Sequence, residues 1–305
     1  NTLLFVLFAL SANAADGTLG TVSVQKGNNV SVNGEAPLSL TLDGKDHQSC
    51  QFLSKRAPDE SHEFTWKEVT TTRGGELAEI LGDQLRSVDS LVVKGNVNDK
   101  DFHAMWDASL YGYLSVINLK NAVLENNAVP DTAFFHENEQ YEGSSHEIFY
   151  YIGLRKIILP EGLEKIGEGA FYQASALRQV NFPSTLRYIG DFAFNATKLE
   201  MNQLVIPEGV EEINQYAFAF CRKLKAQVTL PSTIKKIGEW AFYGCPITSI
   251  NLPEGLESLG SLAFWDCDLR EVSIPSSCHE FNEGWQFGFN RNLEKMHLPE
   301  GMTEI

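Results

Sequence analysis

The sequence predicts a solenoid of stacked turns with parallel β-strands over residues 154–305. A pattern of 22 to 25 residues recurs from Leu154 to the end of the 305-residue chain. A proline closes the first apolar strand of every copy, and five copies carry an Ala-Phe pair further on. A unit this short cannot enclose a hydrophobic core by itself, so successive copies must stack and share one.

Each copy begins with Leu or Ile, followed by two variable residues and then a short strand. Apolar residues at every second position, as in Ile157 and Leu159, indicate a strand with one buried face. Proline has no N–H to donate to a β-ladder, so it ends each strand at the same height in successive turns. The closing prolines are Pro160, Pro183, Pro207, Pro231, Pro253, Pro275 and Pro299.

The second half of each copy turns through Glu-Gly or Ser-Thr into another apolar pair, such as Leu163 and Ile166. The phenylalanines of the Ala-Phe pairs recur at one height and predict a continuous buried column of rings. The copy that starts at Leu269 departs from the pattern, because Cys278 takes an apolar position and Trp285-Gln286 replaces Ala-Phe. We expect a locally distorted turn there.

The full pattern is L-x-x-I-x-L-P-x-x-[LVI]-x-x-I-G-x-x-A-F-x-x-C, met nearly completely from Ile247 to Cys267. It resembles the BspA-type leucine-rich repeats of surface proteins from anaerobic Gram-negative bacteria and some mucosal parasites, over about half of the chain. The resemblance implies a leucine-rich-repeat solenoid, a right-handed α/β or β-rich superhelix with a parallel sheet and an N-terminal cap. It also implies a bacterial surface location and partners such as host matrix proteins or neighbouring cells.

The chain divides into four predicted segments. Residues 1–14 read as a signal peptide cleaved after Ala14, although a buried strand or helix is the alternative. Residues 15–62 form a β-rich leader or a small β module, and 63–153 an N-terminal cap with degenerate repeats and an insertion at 120–150. Residues 154–305 hold about six and a half repeats. Because they stop in mid-repeat, we expect either a fragment or a following domain, and favour the fragment.

Within residues 63–153, a strand and a short helix up to Asp83 are the predicted cap, since a solenoid needs its open apolar end covered. A second helix is expected to direct Phe102, Met105 and Trp106 inward. Ala133-Phe134 is a trace of the Ala-Phe step.

The composition excludes some partners. The net charge of −16 argues against nucleic acid or an anionic membrane, and no membrane-spanning segment follows the signal region. Cys221, Cys245 and Cys267 occupy one position of three consecutive copies. Buried free thiols are the favoured interpretation; one disulfide between adjacent turns stays open, and a zinc site lacks the required ligand spacing.

No catalytic signature is present, so the sequence predicts a protein that is not an enzyme, without cofactor or metal. The densest group of titratable residues lies in the insertion and indicates a solvated acidic loop, with divalent-ion binding as the alternative. Its members are His136, Glu137, Glu139, Glu142, His146 and Glu147.

Binding is the favoured function. The outward residues of the first strands are mostly uncharged and polar, whereas the second segment is rich in Glu and Lys, and solenoids commonly bind along such sheets. We predict an exported surface protein for recognition or adhesion, with a protein ligand.

The alternative is a glycan-binding or scaffold component of a surface polysaccharide system. An exposed Trp or Tyr on the sheet would favour sugar binding, and the predicted binding positions have none. The predicted binding positions are Lys156, Ile158, Gln179, Asn181, Gln203, Val205, Gln227, Thr229, Ser249, Asn251, Glu271 and Ser273.

Overall fold

A computed structural model describes residues 63–135, 152–281 and 284–300, and the backbone of five short strands outside these ranges. Among these five, β1 pairs antiparallel with β2 and parallel with β3, and β4 pairs parallel with β9. Their bounds are β1 (Gly20–Gln25), β2 (Asn29–Gly34), β3 (Leu40–Leu42), β4 (Phe52–Leu53) and β9 (Phe149–Tyr150). The division of the chain at residues 14, 62 and 153 stays a prediction.

The first strands of successive turns form three consecutive parallel ladders. The ladder orders are β5-β6-β7-β10-β12, then β14-β16-β18, then β20-β22. The strands are β5 (Trp66–Thr71), β6 (Ser90–Val97), β7 (Val116–Leu124), β10 (Lys156–Ile158), β12 (Gln179–Val180), β14 (Gln203–Val205), β16 (Gln227–Thr229), β18 (Ser249–Asn251), β20 (Glu271–Ser273) and β22 (Lys295–His297). The predicted parallel solenoid is thereby confirmed.

The second strands of the turns form one seven-stranded parallel sheet, which we call the second sheet. Every strand in it has two residues. In order they are β8 (Ala128–Val129), β11 (Lys165–Ile166), β13 (Tyr188–Ile189), β15 (Glu212–Ile213), β17 (Lys236–Ile237), β19 (Ser258–Leu259) and β21 (Glu280–Phe281).

Two helices precede the regular turns: α1 (Leu77–Leu81) and α2 (Asp99–Tyr111), with 3-10 turns at Gly82–Ser87 and Glu125–Asn127. The buried carboxylate of Asp101 accepts hydrogen bonds from the N–H groups of Asn98, Gly75 and Leu77, at 2.7–3.0 Å. It therefore caps α2 and ties the start of α1 to it. The interpretation of this segment as a cap remains a prediction.

A column of phenylalanine rings runs through the core. Neighbouring centroids are 5.2–5.5 Å apart and the ring planes lie within 12° of parallel. Phe102 of α2, buried as predicted with Met105 and Trp106, meets the first ring edge-on at 6.0 Å. The rings belong to Phe134, Phe171, Phe194, Phe218, Phe242, Phe264 and Phe287. This confirms Ala133-Phe134 as a copy of the step.

The structure also corrects two sequence interpretations, the first through this column. In the copy that starts at Leu269, Gln286-Phe287 and not Trp285-Gln286 occupies the Ala-Phe position, since the Phe287 ring continues the stack 5.5 Å from Phe264. The ring stack is therefore continuous through this copy, and the expected local distortion of its turn stays a prediction. Trp285 instead takes the preceding position, where φ is 64° and the side chain is 69% exposed.

The second correction concerns the start of each copy. In two copies, more than two residues separate the first leucine from the buried residue of the strand. Leu199 precedes the buried Leu204 by five positions, and Leu224 precedes Val228 by four. The longer lead into β14 coincides with the break between the first two ladders.

The three cysteines of the repeated position are buried free thiols, as the favoured interpretation predicted. Each sulfur lies near the carbonyl oxygen of the phenylalanine one turn earlier, at 3.2 Å for Cys221, 2.9 Å for Cys245 and 3.3 Å for Cys267. The thiols donate hydrogen bonds between turns, and burial raises the pKa of both Cys245 and Cys267.

Candidate functional site

The first strands align the predicted binding residues in two rows on one solvent-exposed side, which we call the first face. The register places Gln203 opposite Gln227 and Gln227 opposite Ser249. It likewise places Lys156 opposite Gln179. Cα partners in a parallel ladder direct their side chains to the same side, about 4.8 Å apart. One row contains Lys156, Gln179, Gln203, Gln227, Ser249 and Glu271, and the other contains Ile158, Asn181, Val205, Thr229, Asn251 and Ser273.

Most of these side chains are accessible. Lys156, Ile158 and Ser249 are half-buried, and the remaining nine predicted positions are exposed. Val205, an apolar residue, is 52% exposed. Most inward partners, such as Leu204, are buried, and Val180 is partly buried, so the strands are fixed from behind and the outward side chains stand on a rigid support.

Two of the predicted residues already have partners in the protein. The Leu159 N–H donates to Oδ1 of Asn181 at 2.7 Å, and Nδ2 of Asn181 donates to the Leu159 carbonyl at 3.0 Å. This amide therefore extends the ladder where β12 ends. Glu271 lies 2.7 Å from Nε2 of His297 in the next turn. A ligand would have to compete with both contacts.

The first face is poor in charge compared with the second sheet. The two rows contain one lysine and one glutamate among twelve positions. On the second sheet, Lys236 pairs with Glu212 at 2.6 Å and Lys165 pairs with Asp131 at 3.3 Å. The contrast between the two surfaces that the sequence predicted is present in the structure.

One exposed aromatic residue was missed. The register carries the first row back from Lys156 through Val116 and Ser90 to Trp66 on β5. Trp66 is 65% exposed. The twelve predicted positions contain neither Trp nor Tyr, but the same row continues to a tryptophan on its first strand. Val69 and Thr71 of β5 are buried, and Trp66 lies on the opposite side of the strand. The period of two that is typical of a strand would have placed Trp66 outside.

No group of three or more histidine, cysteine or acidic side chains within residues 63–135, 152–281 and 284–300 is arranged to hold a metal ion. The acidic group from His136 to Glu147 lies outside the described residues. No helix in the described part of the chain has the length and apolar character needed to cross a membrane.

Comparison with known proteins identifies the repeat. The family model described as the BspA type leucine rich repeat region matches residues 145–228 and 225–305, with six copies. The chain belongs to the BspA-type leucine-rich repeat family. Leucine-rich repeat proteins of this family are generally binding or scaffold proteins, which indicates a protein-interaction role.

Solved structures similar to this BspA-type chain include leucine-rich repeat proteins. A leucine-rich repeat protein from Bacteroides ovatus is 18% identical, with a TM-score of 0.43, and the alignment covers 93% of this chain and 70% of that one. A leucine rich cell surface protein from Faecalibacterium prausnitzii is 15% identical, with a TM-score of 0.33 and coverages of 88% and 96%. The pneumococcal vaccine antigen PcpA is 15% identical, with a TM-score of 0.32 and coverages of 92% and 82%. No curated protein matches the chain.

Proposed function

We propose that this BspA-type protein is exported to the cell surface and binds a protein partner, such as a host matrix protein or a neighbouring cell, through the first face. The observation that carries the proposal is the pair of rows of mostly uncharged, hydrogen-bonding side chains along successive strands. Within each ladder, such rows offer donors and acceptors at a spacing of about 4.8 Å. An extended protein segment that lies across the strands would meet one polar side chain per turn.

The charge distribution supports a polar protein partner rather than a nucleic acid. The net charge is −16, which repels phosphate backbones. The first face itself holds little of that charge. Hydrogen bonds to Gln203 and Gln227 would therefore form without strong repulsion from neighbouring carboxylates.

The experiment is a binding screen against immobilised extracellular matrix proteins, with wild type and a Gln203→Glu/Gln227→Glu variant. These substitutions keep side-chain size, remove two amide donors and add two charges in the centre of the first face. A matched control, Gln84→Glu/Asn292→Asp, adds the same charge at exposed positions elsewhere. We expect at least about a tenfold loss of affinity for the first variant, which equals about 1.4 kcal/mol, and little change for the control.

An unchanged affinity in the Gln203→Glu/Gln227→Glu variant would remove the first face from the proposal. An equal loss in both variants would point to net charge and not to a specific surface.

Export is proposed from residues 1–14 and has its own test. Expression in a bacterial host with N-terminal mass analysis of the secreted protein should give a mature chain that begins at Ala15. A chain that retains the apolar stretch would contradict the signal peptide.

A second candidate function is glycan binding, and Trp66 favours it. An exposed indole beside polar side chains is suited to stacking against a sugar ring while the neighbours make hydrogen bonds. A glycan array with wild type, Trp66→Ala and the neighbouring control Phe64→Ala, which removes another exposed ring, separates the two functions. Sugar binding that only Trp66→Ala abolishes would favour the glycan function over the protein partner.

A further inference from the structure

A groove of about 640 Å³ crosses successive turns beside the second sheet. It lies away from the two rows of the first face, and its eight lining residues include three acids, one lysine and one aromatic ring. The lining residues are Asp191, Glu212, Asn214, Gln215, Lys236, Gly238, Glu239 and Phe281.

The groove includes a position where a regular feature of four neighbouring turns, a glycine after the second strand at Gly167, Gly190, Gly238 and Gly260, is interrupted. After the second strand, other turns have glycine, as at Gly190 and Gly238, whose N–H donates to a carbonyl one turn earlier. A Cβ atom on Gly238 would lie 2.7 Å from the backbone nitrogen of Gln215, so glycine permits this close approach. In the turn between them the residue is Asn214.

Asn214 changes how two turns meet. Its side-chain Nδ2, and not its backbone N–H, donates to the carbonyl of Ile189 at 2.6 Å. The strands on either side, β13 and β15, are paired through a single residue, Ile189 with Ile213. We infer that Asn214 holds these two turns apart and keeps the groove open.

The charges of the groove favour a cation. Asp191, Glu212 and Glu239 contribute three carboxylates, and Lys236 is occupied by Glu212 at 2.6 Å. One oxygen of Asp191 accepts the Gln215 N–H at 2.9 Å, and one oxygen of Glu239 accepts the Gln215 side-chain amide at 3.2 Å. The second oxygen of each of these two carboxylates therefore remains available for a donor from a ligand.

Aromatic rings adjoin the same surface. Phe192, Tyr216 and Trp240 directly follow Asp191, Gln215 and Glu239, and their rings form a half-exposed stack with centroid distances of 4.7 and 5.3 Å. Burial, and then the charge of Glu239, raises the pKa of Tyr216, so this carboxylate lies close to the stack. Carboxylates next to aromatic faces suit a guanidinium, which is planar, donates to carboxylates in pairs and stacks on rings.

The protein itself shows this type of contact nearby. The guanidinium of Arg222 lies 5.5 Å from the centre of the Phe220 ring and 3.8 Å from the carboxylate of Asp266. An external arginine in the groove would repeat the same arrangement.

We propose that the groove binds an arginine side chain of a partner protein segment. This site is separate from the first face and does not depend on it. Asp191 and Glu239 bind the guanidinium, the ring stack lies beside these carboxylates, and Asn214 sets the width of the groove.

The test uses a Gly-Arg-Gly-Arg-Gly peptide with fluorescein on its N-terminal amine and an amidated C-terminus, with a citrulline version of the same peptide as the neutral comparison. Affinity is measured by fluorescence polarisation at about 0.15 M salt, where exposed charges further apart than about 8 Å are screened. The protein variants are Asp191→Asn/Glu239→Gln, which retains size and the Gln215 contacts, and Asn214→Gly, which restores the glycine of the other turns. The matched control is Glu125→Gln/Glu294→Gln, which removes two charges at exposed positions elsewhere.

We expect wild type to prefer the arginine peptide and both groove variants to weaken it by about tenfold or more, while the control changes affinity less than twofold. Thermal unfolding verifies that each variant is folded, and if Asn214→Gly is not, Asp191→Asn/Glu239→Gln alone decides. No binding by wild type, equal binding of the citrulline peptide, or an equal loss in the control would overturn the proposal. Loss of matrix-protein binding in the first-face variant with peptide binding intact would show that the two sites are independent.

Discussion

The carboxylate of Glu208 accepts two hydrogen bonds from Ser232 in the following turn, from its backbone N–H at 3.1 Å and from its hydroxyl at 3.0 Å. Beside it, the Gly209 N–H donates to Oγ1 of Thr233 at 2.9 Å. The same carboxylate–serine contact joins Glu161 to Ser184 and Glu254 to Ser276. Because Glu-Gly and Ser-Thr or Ser-Ser turns alternate along the chain, these bonds join the turns in pairs.

Replacement of Glu208 tests this pairing. Glu208→Ala removes the acceptor for two donors of Ser232 and should lower the free energy of unfolding by about 1 kcal/mol, since the contact is exposed to solvent. Urea denaturation measures the change. Glu211→Ala is the control, because Glu211 is exposed in the same segment. An equal effect of both substitutions would contradict a specific role for Glu208.

The side chain of Asn195 should lower the stability of the folded protein. Its side chain is fully buried, and neither Oδ1 nor Nδ2 has a hydrogen-bond partner in the part of the chain that the structure describes. The equivalent position of the next turn is the buried Ala219. We expect Asn195→Ala to raise the free energy of unfolding by about 1 kcal/mol, because an unsatisfied buried amide is removed.

A neighbouring threonine is the control for Asn195. The hydroxyl of Thr197 donates to the Phe194 carbonyl at 2.9 Å, so Thr197→Ala should lower stability in the same urea titration. A loss of stability in Asn195→Ala would mean that its amide is satisfied. Burial of Asn195 also makes the Asn-Ala-Thr sequence at 195–197 inaccessible to glycosylation in the folded protein.

The buried thiols should make stability decrease at alkaline pH. Burial raises the pKa of Cys245 and Cys267, and it raises that of Cys278 to about 11. The native thiols hold their protons more tightly than unfolded ones, so their contribution is complete below the unfolded thiol pKa of about 8.5 and is lost as pH rises above it. The slope approaches about 1.4 kcal/mol per pH unit for each thiol.

Urea titrations at pH 7.5, 8.5 and 9.5 measure this slope. A Cys245→Ala/Cys267→Ala variant should lose less stability between pH 8.5 and 9.5 than wild type, because tyrosines and lysines titrate equally in both. Parallel curves for the two proteins would show that the thiols do not carry the pH dependence.

Much of the fold could be predicted because the turns repeat. Proline, glycine and phenylalanine recur at positions that each have one physical requirement: the end of a strand, a close approach of two turns, or a place in the ring stack. The copies together therefore indicate one geometry. The position of Trp285 was predicted wrongly because the sequence pattern does not contain the ring stack. The stack requires Phe287, and not Gln286, at the height of the phenylalanine. The longer lead from Leu199 to Leu204 was missed for a similar reason: the copies were aligned on their first leucine and not on their buried strand.

The candidate surfaces were less predictable. Period-two alternation places Gln203 and Gln227 outside, but it does not reveal that the Asn181 amide bonds to Leu159. The groove depends on Asn214, whose signal is a break in the glycine column after the second strand. What that break does follows only from how two turns meet, which a single-turn pattern does not contain.

The central claim is that neighbouring turns share one core, and Phe218 tests it most directly. Its ring stacks at 5.2 Å on both Phe194 and Phe242 in the adjacent turns. Phe218→Ala should lower the free energy of unfolding by about 3–5 kcal/mol. Native-state hydrogen exchange should show reduced amide protection in the turns of Phe194 and Phe242 as well as in its own. Reduced protection confined to the turn of Phe218 would contradict a shared core.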